Sequence, residues 1–220
     1  MTEHEHHDHD HGSHDHDHDH EHHEHDHHEH VPVEYTDAVE GFRLDKDEFF
    51  KTHARSPIPE AEREAFTGLP YYPVDEALRF EERTLEPYTG DEPSHFQIPT
   101  SDGQLRPAHR AGILRFEIED TPYQLTAYTF DGGDGESLFV PFLDSTSGTE
   151  TYGAGRYLDL EPEEDGTYAL DFNLAYHPSC VYSPYYSCPI TPAENRLPDR
   201  IEAGERLAED EGGDADGSHG

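Results

Sequence analysis

The chain is 220 residues long, enough for one ordinary folded domain with tails. Its 51 acidic residues face only 14 basic ones, a net charge of −37, which argues against nucleic acid and anionic membranes as partners. No apolar run approaches the ~20 residues of a membrane span, and no basic-then-apolar leader is visible. The cytoplasm is therefore the expected location, and two cysteines are too few for a secreted disulfide scaffold.

Residues 1–33 form a low-complexity tail with no apolar face in any period, which predicts disorder without a ligand. Within it, residues 1–30 hold 15 histidines and 11 acids but no Lys or Arg. Residues 34–208 read as one β-rich domain, and residues 209–220 as a second solvated acidic tail. Asp37 and Glu40 have capping-box spacing. Val39, Phe42, Phe49 and Phe50 roughly follow a helical stripe that Ser56-Pro57 stops. A second short helix is expected between Pro59 and Gly68, followed by an extended aromatic stretch, residues 69–73, packed on the core.

From about Arg79 the period changes to two. Leu114, Phe116 and Ile118 alternate with Arg115, Glu117 and Glu119, as in a half-buried strand. A polar turn at 119–122 leads into a second strand at 123–130, a hairpin. Residues 138–143 read as a buried strand, and 156–160 with 168–172 as another hairpin around 163–166. Pro178, Pro184, Pro189 and Pro192 exclude a helix or central strand from 177–197, so this run is expected to lie over the sheet as a strap. A helical turn is expected at 201–207. The fold class predicted is mainly β: an antiparallel sandwich or small barrel with short N-terminal helices and a proline-rich C-terminal strap.

The acidic excess persists outside the N-terminal tail, where 40 acids oppose 14 bases. Only two of those bases are lysines, Lys46 and Lys51, and there is no Trp. Such a domain repels itself in dilute buffer. At 1 M salt the Debye length falls to roughly 3 Å, so the composition reads as adaptation to molar salt.

The clearest chemistry lies in the N-terminal histidines. They are His4, His6, His7, His9, His11, His14, His16, His18, His20, His22, His23, His25, His27, His28 and His30. Neutral imidazole suits Ni2+, Zn2+, Cu2+ and Co2+. Alternation with carboxylates lets a flexible chain wrap such cations, at an entropic cost that keeps each site weak to moderate. Divalent metal ions are thus the expected partners, and no single ligand set stands out.

Two longer runs carry a resemblance. They are FLDSTSGTETYGAGRYLDL at 142–160 and LDFNLAYHPSCVYSPYYSCPITPAENRLPDRIEAGER at 170–206. With residues 57–75 and 112–144 they resemble the family catalogued as domain of unknown function 1684, over about residues 40–208. The resemblance implies a shared, mostly β fold and no established activity. His177 departs from the family pattern, which usually has Asn before the proline.

Cys180 and Cys188 admit three readings: free thiols first, then a disulfide closing a short loop, then zinc ligands beside His177. Cys180 as a nucleophile with His177 or His109 as base is weaker still. The hydroxyl-rich connection 145–148, with 153–155, has no phosphate-loop pattern. Its expected role is a tight turn. Arg156, Asp171, Asn173, Asn195 and Arg196 fall in the family-like runs. Arg156 or Arg196 paired with Asp171 is expected to pin the strap onto the sheet. A pocket lined by Tyr157, Tyr176 and Tyr182 near these polar groups is the alternative. Three functions follow: binding or buffering of divalent metals by the tail, a small-ligand binder or enzyme using a cleft near Arg156 and Asn195, or a structural module.

Overall fold

The structure is a computed structural model, and it describes residues 34–133 and 135–208. The N-terminal histidine segment and the C-terminal acidic segment lie outside the described residues.

A single α-helix, α1 (Tyr35–Thr52), opens the domain. It starts two residues before the expected cap. Glu34 is the N-cap residue without a side-chain bond, and Asp37 lies inside the first turn, where its charge complements the helix dipole. Ser56 supplies the stop: its Oγ donates to the Phe50 carbonyl at 2.5 Å and accepts from the Ile58 N–H. The buried stripe also differs from the expected one. Val39 and Phe50 are buried, whereas Phe42 and Phe49 are 47% and 37% exposed. Between Val39 and Phe50 the inner face carries Arg43, Lys46 and Asp47, each half-buried. The helix therefore docks through charged contacts. Arg43 donates to the Tyr72 and Asn173 carbonyls, and Asp47 accepts from the Leu69 N–H at 2.9 Å. The second helix expected between Pro59 and Gly68 is only a 3-10 turn at Glu60–Glu62.

Seven strands follow: β1 (Arg79–Arg83), β2 (His95–Pro99), β3 (Leu105–Ile118), β4 (Thr121–Phe130), β5 (Leu138–Phe142), β6 (Arg156–Leu160) and β7 (Tyr168–Asp171). They form two antiparallel sheets in a sandwich-like arrangement. One is a five-stranded meander ordered β2-β3-β4-β5-β6, and the other is the pair β1-β7. Neither sheet closes into a barrel among the described residues. The β3–β4 hairpin turns through Glu119 and Asp120, both at positive φ, as a two-residue turn matching strand twist requires.

The hairpin expected from β6 and β7 is corrected. Their turn at 163–166 forms, but β6 pairs with β5 while β7 pairs with β1, and only the bridge Pro162↔Tyr168 joins the two runs. Pro162 has no N–H to extend that ladder, and Tyr176 occupies the free side of β6 by exchanging backbone bonds with Tyr157 at 2.9 and 3.0 Å.

Leu114, Phe116, Leu125, Val140, Phe142, Leu158, Leu170 and Phe172 lie in one apolar core drawn from both sheets, and Ile201 and Ala203 join it. A smaller cluster unites Phe50 of α1 with Ile58 and Leu69, against Phe66, Tyr71 and Tyr182. The strap 177–197 contains only two 3-10 turns, Ser179–Val181 and Ala193–Asn195. The helical turn expected at 201–207 is absent: the run is irregular, with a bend at Gly204 and a single bridge from Glu205 to Tyr71. Its carbonyls point sideways to a buried guanidinium, which is incompatible with i to i−4 bonding.

Candidate functional site: a buried polar cluster beside an apolar cavity

Arg156, the first residue of β6, has no exposed surface. Its guanidinium reaches the carbonyls of Ile201 at 2.7 Å, Glu205 at 3.1 Å and Ala203. The Asp144 carboxylate, 3.5 Å away, supplies the counter-charge and also accepts the Ile201 N–H at 2.7 Å. Arg156 thus pins the closing run 201–205, and its partner is Asp144 where Asp171 was expected. The hydroxyl-rich connection folds on itself as a tight turn, with Thr146 Oγ1 donating to Asp144.

Gly204 then turns the chain at φ +76°, where an added Cβ would stand 2.5 Å from the Ala175 carbonyl oxygen. That turn drives Glu205 inward until only 1% of its side chain is exposed. One carboxylate oxygen pairs with Lys46 Nζ of α1 at 2.5 Å. The other accepts the His177 backbone N–H at 2.6 Å and the Tyr182 hydroxyl at 3.0 Å. His177 Nδ1 faces the same oxygen at 3.6 Å, while Nε2 accepts the Tyr152 N–H at 3.3 Å. The ring proton therefore sits on Nδ1. Burial, with Arg156 and Lys46 nearby, pushes the His177 pKa down to about 3, so the imidazole is neutral. With its acceptor nitrogen Nε2 taken by the Tyr152 N–H, His177 is not poised as a general base.

Next to this cluster lies a cavity of about 650 Å³. Ile58, Phe66, Leu69 and Val181 line its apolar wall, and His177, Tyr182, Arg206 and Glu62 contribute its polar surface. Neither Arg156 nor Asn195 lines it.

The other residues singled out in the sequence are dispersed. Asn195, fully buried, acts as a surrogate peptide between β4 and β5: Oδ1 accepts the Thr126 N–H at 2.8 Å, and Nδ2 donates to the Thr126 and Pro141 carbonyls. Those strands pair directly only at Tyr128↔Phe139, and Pro141 brings no N–H of its own. Asn173 ties α1 to the 3-10 turn at Glu76–Leu78 through Tyr35 and both backbone groups of Asp75. Asp171 caps Asn173 and accepts the Tyr35 hydroxyl at 2.7 Å. Tyr157 donates to the Pro189 carbonyl, and Tyr176 to Asp159. The Arg196 side chain is exposed; only its neighbours pair, flanking it with bonds to Leu143. Cys180 and Cys188 are free thiols; Cys180 contacts the Tyr152 hydroxyl at 3.8 Å, and burial raises the Cys188 pKa to about 11. Among the described residues, no three His, Cys, Asp or Glu side chains converge as a metal site, and His177, Cys180 and Cys188 are not brought together as one.

Residues 64–206, with these pins and the strap, match a family described as a protein of unknown function, DUF1684. The chain belongs to that family. A solution NMR structure of an uncharacterised protein of Haloarcula marismortui is 38% identical to it, over 77% of this chain and 92% of that one, with a TM-score of 0.58. No curated protein matches. Among the described residues of this DUF1684 protein, no helix is long and apolar enough to cross a membrane.

Sequence reasoning missed Lys46 and Glu205; it offered Asp144 only as one of several acid/base carboxylates and not as the partner of Arg156. Lys46 was the most accessible of them, because it is one of two lysines and stands four residues before Phe50 on the helical face. Glu205 gave no local signal in so acidic a chain. The cavity walls come from residues 58–69 and 177–208, far apart in sequence, and no single run announces them.

Proposed function

We propose that the DUF1684 domain binds a small, largely apolar molecule in the cavity beside His177. The observation that carries this reading is the cavity itself: its size falls in the range of small-molecule sites, and its walls include Ile58, Phe66, Leu69 and Val181. The polar groups behind it, Glu205, His177, Tyr182 and Lys46, are engaged with one another, which favours apolar recognition over catalysis. The dye 8-anilinonaphthalene-1-sulfonate is the probe. Its fluorescence should rise with the folded protein and be lost in Ala65→Trp, which fills the cavity. Equal enhancement by both proteins would remove the cavity as the site.

A second reading rests on the fifteen histidines among the first thirty residues. They are proposed to bind or buffer Ni2+, Zn2+, Cu2+ or Co2+. Calorimetric titration of the full chain with each ion should release heat, and silence with all four ends this reading. The acidic excess is proposed to suit a salt-rich cytoplasm; unfolding midpoints should rise with KCl, and a maximum in dilute buffer would contradict it.

A further inference from the structure

At the β2 edge of the five-stranded sheet, β2 and β3 bring two imidazoles together, and neither residue lines the cavity. His95 of β2 and His109 of β3 are direct partners in the antiparallel register. Their ring centroids are 4.3 Å apart and the rings are tilted by 44°. His95 is exposed and His109 half-buried, so the pair is open to solvent. Alternation along β3 puts Pro107 on the face of His109, while Arg110 turns the other way into an ion pair with Glu194, and the register shifts between Arg110 and Gly112. Thr129 of β4 stands opposite His109, and Gln97 follows His95 on the same face of β2. No cationic side chain occupies these strand positions.

We propose that His95 and His109 form a two-imidazole site for one divalent transition-metal ion of the Cu2+, Ni2+ or Zn2+ class, completed by water. Imidazole nitrogens bind such ions at about 2.0–2.1 Å, so two nitrogens on one ion stand on the order of 3 Å apart. Rings already 4.3 Å apart between centroids reach that spacing by side-chain rotation alone. The strand register fixes both Cα positions before the ion arrives. The second imidazole therefore binds as an intramolecular ligand at high effective concentration. The negative field of the whole protein enriches cations at its surface. Among the described residues, the one side-chain hydrogen-bonding contact on the pair's nitrogens is Ser94 Oγ, 3.4 Å from His95 Nδ1, so Nε2 of His95 and both nitrogens of His109 are not engaged by a side chain.

The test is site-resolved NMR on the full-length chain titrated with Cu2+, whose unpaired electron broadens nearby amides. Broadening is expected at residues 94–97, 107–110 and 129. His95→Ala and, separately, His109→Gln should each weaken it on the order of a hundredfold, the loss expected when an intramolecular second ligand is removed. Signals from residues 1–30 report the N-terminal reading independently, so either can fail alone. Absence of broadening around His95 and His109, or its persistence at unchanged Cu2+ concentration in both variants with the remaining spectrum intact, would overturn the site.

Discussion

Across the five-stranded sheet, backbone groups pair with one another, and the buried side chains are mostly apolar: Leu114, Leu125, Val140 and Leu158 are each no more than 2% exposed. The strap and closing run, residues 177–205, have few ladder partners. Leu197, Ile201 and Ala203 reach the apolar core, and the buried polar contacts are made by Arg156, Asn195, Glu205 and His177. The difference follows from the obligation to satisfy every buried backbone group. A strand gives that task to its neighbour, whereas a proline-broken segment must give it to side chains that carry several donors or acceptors. One guanidinium serves three carbonyls and one carboxamide serves two strands. Stability in the sheet is thus spread over many interchangeable apolar contacts. In the strap it is concentrated in a few directional ones.

The sharpest way to break this comparison is Arg156→Met, which keeps much of the volume but removes every donor. It leaves the carbonyls of Ile201, Ala203 and Glu205 and the Asp144 carboxylate without their partner, a loss of about 3–5 kcal/mol in urea unfolding. Arg156→Lys should recover little, because an ammonium cannot present the planar fork. Leu158→Met in the same strand should cost less than about 1.5 kcal/mol. If Arg156→Met proved as mild as Leu158→Met, the claim that the closing run hangs on one side chain would fail.

Asn195→Ala ranks next, at about 2–3 kcal/mol. It strands the Thr126 N–H and two carbonyls between β4 and β5. Amide hydrogen exchange locates the effect: protection should fall at Thr126 and its neighbours while the β3–β4 turn end keeps its own. A uniform loss across the sheet would mean that Asn195 contributes general packing only.

The same contrast explains what was legible in the sequence. Period-two alternation marked β3, because a sheet face buried on one side writes its pattern into every second residue; the polar turn after it marked β4, and a short apolar run marked β5. The prolines marked the strap as irregular. The partners of Arg156 were hidden, since backbone carbonyls leave no trace in composition and Asp144 was one acid among 51. The helix showed Val39, Phe42, Phe49 and Phe50 as its apolar face; Val39 and Phe50 are buried, yet Arg43, Lys46 and Asp47 fill the inner face between them. Apolar periodicity is blind to that, because its rule assumes that charge faces water. β2 was missed because HFQIP is short and His95 and Gln97 give it a polar outer face. The candidate site was legible only as isolated names: His177 and Tyr182 lie on its wall, whereas Arg156 and Asn195 are pins away from it.

The smallest expected effect concerns His177, and it sharpens the comparison because it appears only with pH. In the folded protein this imidazole stays neutral down to about pH 3, held there by burial and by the nearby Arg156 and Lys46 charges. In the unfolded chain it takes up a proton near pH 6.5. Above that value both states are neutral and His177 contributes no pH dependence. Below it the unfolded state binds a proton that the folded state refuses, so stability falls with decreasing pH, by at most about 1.4 kcal/mol per unit. His177→Asn removes the titrating group and keeps the backbone N–H that bonds Glu205. The rest of the chain is common to both proteins, so the difference in unfolding free energy reports the change at position 177. That difference should be constant from pH 8 to 7 and should move in favour of His177→Asn as pH falls from 6.5 toward 4.5. A difference that stays flat across the whole range would show that the folded imidazole accepts its proton as readily as the unfolded one. The cluster around Glu205 would then be open to water, and the closing run would owe less to buried polar contacts than the comparison with the sheet requires.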